Sequence, residues 1–301
     1  IDAGKRFGTR LSEENLQVEY WVERIDIDTY RVHYILDESA FVTTWGVAYI
    51  EGDYYLEEGN GGRYGGLSFD GTDDYVVISE NSLPDFSDNL SVLSNLYLRK
   101  YSGYSGIVSQ FEGLPRKWYF SFDSSTGKRL RFAFYNPSGT SHSFQGDTVI
   151  SLNEWYFVGV TYDSHKIRFY VNGKLDSESE DFDTTIRSGN TTLFIGKVTT
   201  HEIDAIIENV FIFNRTLSGD EISENYNQEE PTNSTGLVLY LAPWSIDPIL
   251  GWWYDCSGYS NHGKIYYAQV SEEKAKGLTI VPGNDAYPCN EWKFYRDYTE
   301  S

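Results

Sequence analysis

Residues 153–176, NEWYFVGVTYDSHKIRFYVNGKLD, constrain the fold of this chain more than any other stretch. Trp155, Phe157, Gly159 and Thr161 alternate with Tyr156, Val158, Val160 and Tyr162. After a polar break at residues 163–166, Ile167, Phe169 and Val171 alternate with Arg168 and Tyr170, and Asn172-Gly173 follows. Successive side chains of a strand point to opposite faces, so such period-two runs read as half-buried strands. Asn-Gly supplies the two positive φ angles of a type I′ turn, the tightest link between antiparallel strands. The segment is therefore predicted to be strand, turn, strand and hairpin turn.

The rest of the chain follows the same grammar. Turn dipeptides recur at Asp70-Gly71, Ser102-Gly103 and Thr126-Gly127, with strand-like runs between them and no helices. Strands at this spacing indicate a β-sandwich or jelly roll. The first 60 residues alternate as well, at Val18, Tyr20 and Val22, at Tyr30, Val32 and Tyr34, and at Val47 and Tyr49; LSEENL at 11–16 reads as one short helical turn. SGDEISENY at 218–226 is the one convincing helix, with Ser218 as N-cap and Glu221 in the capping-box position. A Gly-rich stretch at 58–66 and a polar linker at 227–236 are boundaries. At 301 residues the chain exceeds one average domain of about 100–150 residues. The expected division is a β-rich segment at 1–61, a sandwich domain at 62–229, and a linker with a β-rich segment at 230–301.

Charge excludes some partners. A formal net charge of −21 repels phosphate backbones and anionic membrane surfaces and favours divalent cations. No run of 18 apolar residues marks a membrane span. Aromatic residues make up 17% of the chain, which suits half-buried sheet surfaces, and most of them are expected in the core. Trp118, Trp252 and Trp253 are candidates for stacking on sugar rings. Trp252 and Trp253 are adjacent, so in a strand at most one faces the core. The two cysteines, Cys256 and Cys289, both sit in loop-like surroundings and are expected to form a disulfide, closing a loop of 33 residues and adding about 3–4 kcal/mol. Glycosylation sequons at Asn89, Asn190, Asn214 and Asn233 fit an exported protein. The chain has no methionine and begins at Ile1, which reads as a processed product or an excised fragment.

An L-x-x-W-Y start, V-T-Y-D at the strand end and Y-V-N-G-K-L after it resemble the laminin-G-like, concanavalin-type jelly-roll domains. The resemblance runs over about residues 62–228. YGGLSFDGTDDYVVI at 64–78 is similar to the family's opening strand and Asp-Gly turn, IVSQ at 107–110 to a short core strand, LFIG at 193–196 to its I-G strand, and IENVFIFNRTL at 207–217 to its closing strand. SVLSNLYL at 91–98 departs from it, offering Leu96 where the family usually has Trp. In the tail, DCSGYSNHG at 255–263 resembles the D-x-S-G-N-x-N-H-G of the leader strand that precedes such domains. The tail is then either the start of a truncated second repeat or a permuted strand pair completing this one. The resemblance implies an all-β fold, an antiparallel two-sheet jelly-roll sandwich with additional β-rich terminal segments.

It also implies a cation. In such domains the Asp of the opening turn and an acidic residue of the closing strand often hold Ca²⁺, which takes carboxylate and carbonyl oxygens in a flexible shell. The matching residues are Asp70 and Glu208, and Asp73 and Asp74 stand in the same turn. A third resemblance competes. EIDAIIE at 202–208 is similar to the E-x-D-x-E strand of laminarinase-type glycoside hydrolases. Glu202 and Glu208, however, lie roughly 20 Å apart along an extended strand, where a retaining glycosidase needs about 5 Å. The expected work is thus non-enzymatic recognition or adhesion at a cell, matrix or virion surface, with a glycan or glycoprotein as ligand. A structural subunit of a surface filament or virion coat, which self-associates, is the alternative, and a glycoside hydrolase the third reading.

Overall fold

The computed structural model describes residues 66–271, apart from 80–82, 102, 113, 124–127, 190, 229–230 and 249, and the backbone of four strands nearer the N-terminus. Those four, β1 (Arg6–Arg10), β2 (Gln17–Arg24), β3 (Thr29–Leu36) and β4 (Tyr54–Glu57), form an antiparallel sheet in chain order. The alternations at 18–22 and 30–34 fall on β2 and β3. Val47, Tyr49 and the helical turn expected at 11–16 lie outside the described residues. Contacts divide the chain into two compact units, Gly65–Ser271 and the remainder.

The larger unit begins with β5 (Leu67–Asp70), β6 (Tyr75–Ile78), β7 (Leu90–Lys100), β8 (Gly106–Gln110), β9 (Trp118–Asp123), β10 (Arg129–Tyr135) and β11 (Ser141–Gln145). The hairpin segment gives β12 (Trp155–Tyr162), β13 (Ile167–Val171) and β14 (Lys174–Glu178). Then come β15 (Leu193–Ile195), a two-stranded ribbon of β16 (Lys197–Val198) and β17 (His201–Glu202), and β18 (Asp204–Phe213). Helix α1 (Gly219–Gln228) precedes β19 (Leu237–Asp247), β20 (Trp252–Asp255), β21 (Gly263–Tyr266) and β22 (Gln269–Val270). The front sheet runs β11-β10-β9-β8-β15-β6-β21-β20, and the back sheet β19-β18-β7-β12-β13-β14, with β5 and then β22 beside the first half of β18. Strand β19 belongs to both. Residues 237–241 pair with β18 and residues 246–247 with β20, with a break in register between.

Alternation explains the layers. Val76 and Ile78 of β6, Phe120 and Phe122 of β9, and Phe132 and Phe134 of β10 join Val158 and Val160 of β12 and Ile207 of β18 in one buried core. Burial of this apolar surface, at about 25 cal/mol per Å², is the main stabilising term. Asn172 and Gly173 both have positive φ, 50° and 76°, as the type I′ turn requires. A second buried cluster, with Leu93, Phe157, Phe211 and Ile222, covers the outer face of the back sheet beneath α1. Ser218 and Glu221 exchange side chain–backbone hydrogen bonds at the helix start, which is the capping box. Arg215 holds Glu221 bidentately at 2.6 and 2.9 Å and draws its carboxyl down to about 2. Leu96, where the family usually has Trp, is fully buried.

The tail resolves into the second of its two readings. The sandwich unit runs past the boundary expected at residue 229, to Ser271. Strand β21 pairs with β6, and β19 pairs with β18. Without them both neighbours would present a bare row of N–H and C=O groups. The motif at 255–263 proves to be a clamp. The buried Asp255 carboxylate accepts from Tyr240 N, Ser257 N, Ser257 Oγ and Asn261 N at 2.8–2.9 Å. Asn261 Nδ2 donates to Val238 O, and His262 Nδ1 accepts from Asp255 N. Gly66, at φ +91°, lets β5 press against β18, because a Cβ there would stand 2.0 Å from the Ile207 carbonyl oxygen.

Candidate functional site

Strand β5 ends and β6 begins at the acidic turn, and the turn holds three of the four predicted metal ligands together. One carboxylate oxygen each from Asp70, Asp73 and Asp74 lies within 4.8 Å of the others. Asp70 and Asp73 are exposed and Asp74 is buried. Asp74 Oδ2 accepts from Asp70 N at 2.6 Å, and Asp70 Oδ1 from Thr72 N at 2.8 Å, so the turn is tied by its own side chains. Burial raises the Asp74 carboxyl above the ordinary carboxylate range, and the Asp70 and Asp73 charges add to the effect. The donor set, three hard carboxylate oxygens, is of the kind Ca²⁺ takes.

Glu208 does not join them. The residue opposite Asp70 on β18 is Asp204, and Glu208 lies four positions further along, roughly 13 Å for an extended strand. It is buried at a bulge in the β18–β7 ladder. Asp204 is held by Arg99 at 2.8 Å, and Arg99 also donates to Ser68 Oγ and Phe69 O. That guanidinium partly offsets the turn's negative charge. The three acids of the glycosidase-like segment are equally dispersed. Glu202 belongs to the β16–β17 ribbon and pairs with Lys197 at 3.1 Å, Asp204 pairs with Arg99, and Glu208 is in the interior.

The tryptophans separate by face. Trp118 is fully buried with Nε1 donating to Gln110 Oε1, and Trp253 is fully buried with Nε1 donating to Ala242 O. Neither can stack on a ligand. Trp252, on the other face of β20, is half-buried with Lys264 Nζ 4.9 Å over its ring. Trp252 is in register with Lys264, Lys264 with Val77, and Val77 with Phe194. One row therefore crosses β20, β21, β6 and β15 on the outer face. Beside it Tyr75 stacks on Tyr266 at 4.9 Å, meets Phe194 at 5.8 Å and lies under Lys197 Nζ at 4.8 Å. Tyr75 directly follows Asp74, so the aromatic face begins where the acidic turn ends, with the Asp74 side chain buried. In YVVI, Tyr75 falls on the face opposite Val76, a signal the sequence carries. Its neighbours come from residues 194 and 266, which only the sheet order brings near.

Asn89, Asn214 and Asn233 are exposed; Asn190 lies outside the described residues. Cys256 is disulfide-bonded, and Cys289, the other cysteine of the chain, lies outside the described residues. No helix among the described residues is long and apolar enough to cross a membrane.

Residues 70–223 match the family model of the concanavalin A-like lectin/glucanases superfamily. The chain belongs to this superfamily. No curated protein matches the lectin-fold chain. Among solved structures it is similar to a candidate carbohydrate binding protein from Bacteroides ovatus, at 16% identity and a TM-score of 0.56, over 94% of this chain and 72% of that one. A heptameric SAP-like pentraxin from Limulus polyphemus matches at 16% identity and a TM-score of 0.43, over 53% of this chain and 80% of that one. The binding domain of botulinum neurotoxin serotype D matches at 17% identity and 0.42, over 54% and 42%. The Bacteroides protein shares the fold. The other two likenesses carry no argument.

Proposed function

We propose that this lectin-fold chain is a non-enzymatic glycan-binding protein of a cell or virion surface, with the outer face of β20, β21, β6 and β15 as its sugar platform and Ca²⁺ at Asp70, Asp73 and Asp74. The observation that carries the reading is the outer face on which Tyr75, next in sequence to three clustered carboxylates, packs with Tyr266 and Phe194, with Trp252 on the same side of the sheet. Flat rings offer apolar faces to the C–H groups of sugars, and a cation fixed beside them coordinates hydroxyl oxygens. The superfamily and the carbohydrate-binding description of the Bacteroides protein agree with this use of the fold.

A glycan array probed with the full chain, in calcium and in chelator, tests the proposal. Tyr75→Ala and Trp252→Ala should each weaken binding about tenfold, as expected for the loss of about 1.4 kcal/mol of ring contact. Calcium at a hundredfold excess over Kd should stabilise the fold by about 2.7 kcal/mol, and Asp70→Ala should abolish that gain. Thermal unfolding identical in calcium and chelator would remove the cation from the proposal. Concentration-dependent assembly without glycan, with no glycan bound, would favour the coat-subunit reading instead.

A further inference from the structure

A cleft lies away from the acidic turn, at the end of the front sheet where β10 turns into β11. It measures about 490 Å³ and is lined by Leu114, Arg116, Tyr135, Gly139 and Arg187. Its side chains are ordered in a stack. Arg116 sits 5.4 Å over the Phe111 ring, Phe111 stacks on Tyr135 at 5.7 Å and 20°, and Arg187 sits 5.7 Å over Tyr135. One guanidinium thus lies over each of two stacked rings.

The charge of this stack is out of keeping with the chain. The net charge is −21, yet neither Arg116 nor Arg187 has a carboxylate partner among the described residues. Arg99, Arg131, Arg168 and Arg215 have one, and Arg129 shares with Arg116 and Arg187 the lack of an ion pair among the described residues. The walls are also built. Lys117 is buried, and its Nζ donates to Asp85 Oδ1 at 2.7 Å and Gly189 O at 3.0 Å, fastening the loop before β9 to the loop carrying Arg187. Arg187 N donates to Tyr135 O at 2.8 Å, which fixes the second arginine on the strand end. Gly139, at φ +87°, leaves room for the Arg187 guanidinium, since a Cβ would stand 2.9 Å from its Nη2. Leu114 projects from the rim, 87% exposed.

We infer that this cleft binds an acidic saccharide, with each arginine forking onto a carboxylate or sulfate of the sugar chain. Guanidinium presents paired donors that match a planar carboxylate or a sulfate edge, and such charge-assisted bonds are about twice as strong as neutral ones. The aromatic faces hold the cations in place through cation–π contact and leave their outward N–H groups for a ligand. The word saccharide rests on the glycan-binding reading above. The anion does not.

The test is titration calorimetry of the full chain with oligogalacturonate (carboxylate only), a heparin oligosaccharide (carboxylate and sulfate), a neutral galactan oligomer, and free sulfate. Either acidic oligomer should bind, more tightly at low salt, and Arg116→Gln/Arg187→Gln should weaken it at least tenfold. Preference for oligogalacturonate assigns the carboxylate, and exclusive binding of heparin assigns the sulfate. Loss of acidic-oligomer binding in the double arginine variant with neutral-glycan binding retained would show that the two report on separate sites. Retention of acidic-oligomer binding in the double arginine variant overturns the proposal, provided its circular dichroism spectrum matches the parent. Failure of both acidic oligomers to bind at millimolar concentration also overturns it, and free sulfate binding as tightly as the oligomers removes the saccharide.

Discussion

Single side chains in this chain sort by which face of a strand they occupy. Trp118→Ala should destabilise the sandwich by about 3–5 kcal/mol, because it empties a large core volume and leaves the Gln110 Oε1 acceptor unpaired. Tyr75→Ala, on the outer face, should cost far less stability while weakening ligand binding. Urea denaturation of both variants measures the contrast. His262 offers a pH readout. Burial lowers its pKa below the ordinary imidazole value, against the opposing Asp255 charge, and its Nδ1 accepts from Asp255 N. A base whose folded pKa is depressed stabilises fully above its unfolded value, about 6.5. That stability is lost as pH falls from there through the folded pKa. Melting temperature should therefore drop as pH falls below about 6.5, and His262→Gln should flatten that part of the curve.

At the scale of elements, the clamp at 255–262 is the most testable feature. Asp255→Ala removes an acceptor shared by three backbone N–H groups and one hydroxyl, all in or near the interior. With about 1–3 kcal/mol for each buried donor left unpaired, a loss of about 3 kcal/mol or more is expected in chemical unfolding, with Asn261→Ala smaller. The legibility of the chain divides at this level. The β12–β14 hairpins, the capping box and the acidic turn were readable because each depends on residues close in sequence. The aromatic face was not. Tyr75, Phe194 and Tyr266 meet only through the order β15-β6-β21, which no local pattern states. Glu208 was misplaced for a related reason. The opening strand does pair with the closing strand, but the register sets Asp204 opposite Asp70, and Glu208 is buried. Trp118 shares the face of Phe120 and Phe122 in WYFSFD, an alternation that already pointed it to the core and away from a ligand.

For the whole molecule, the sandwich depends on its last strands. A chain of residues 65–271 should fold alone with a β-type circular dichroism spectrum, whereas one ending at residue 229 should aggregate, since β6 and β18 would each lose a neighbour. Chromatography and spectroscopy of the two chains decide it. Unreduced mass spectrometry should show no free thiol, and reduction of the proposed Cys256–Cys289 bond should leave the core of residues 65–271 folded, because Cys256 packs only at the margin of the second cluster. The interlocking of β6 with β21 also has a consequence for how the protein is made. Residue 78 waits for residue 263. Nearly two hundred residues must leave the ribosome before the front sheet can close, and until then an aromatic-rich, half-assembled sheet is open to strangers. Such distant pairing makes folding slow and exposed to aggregation. This chain should thus depend on chaperones during synthesis, and its yield should be more sensitive to translation speed and temperature than its final stability suggests.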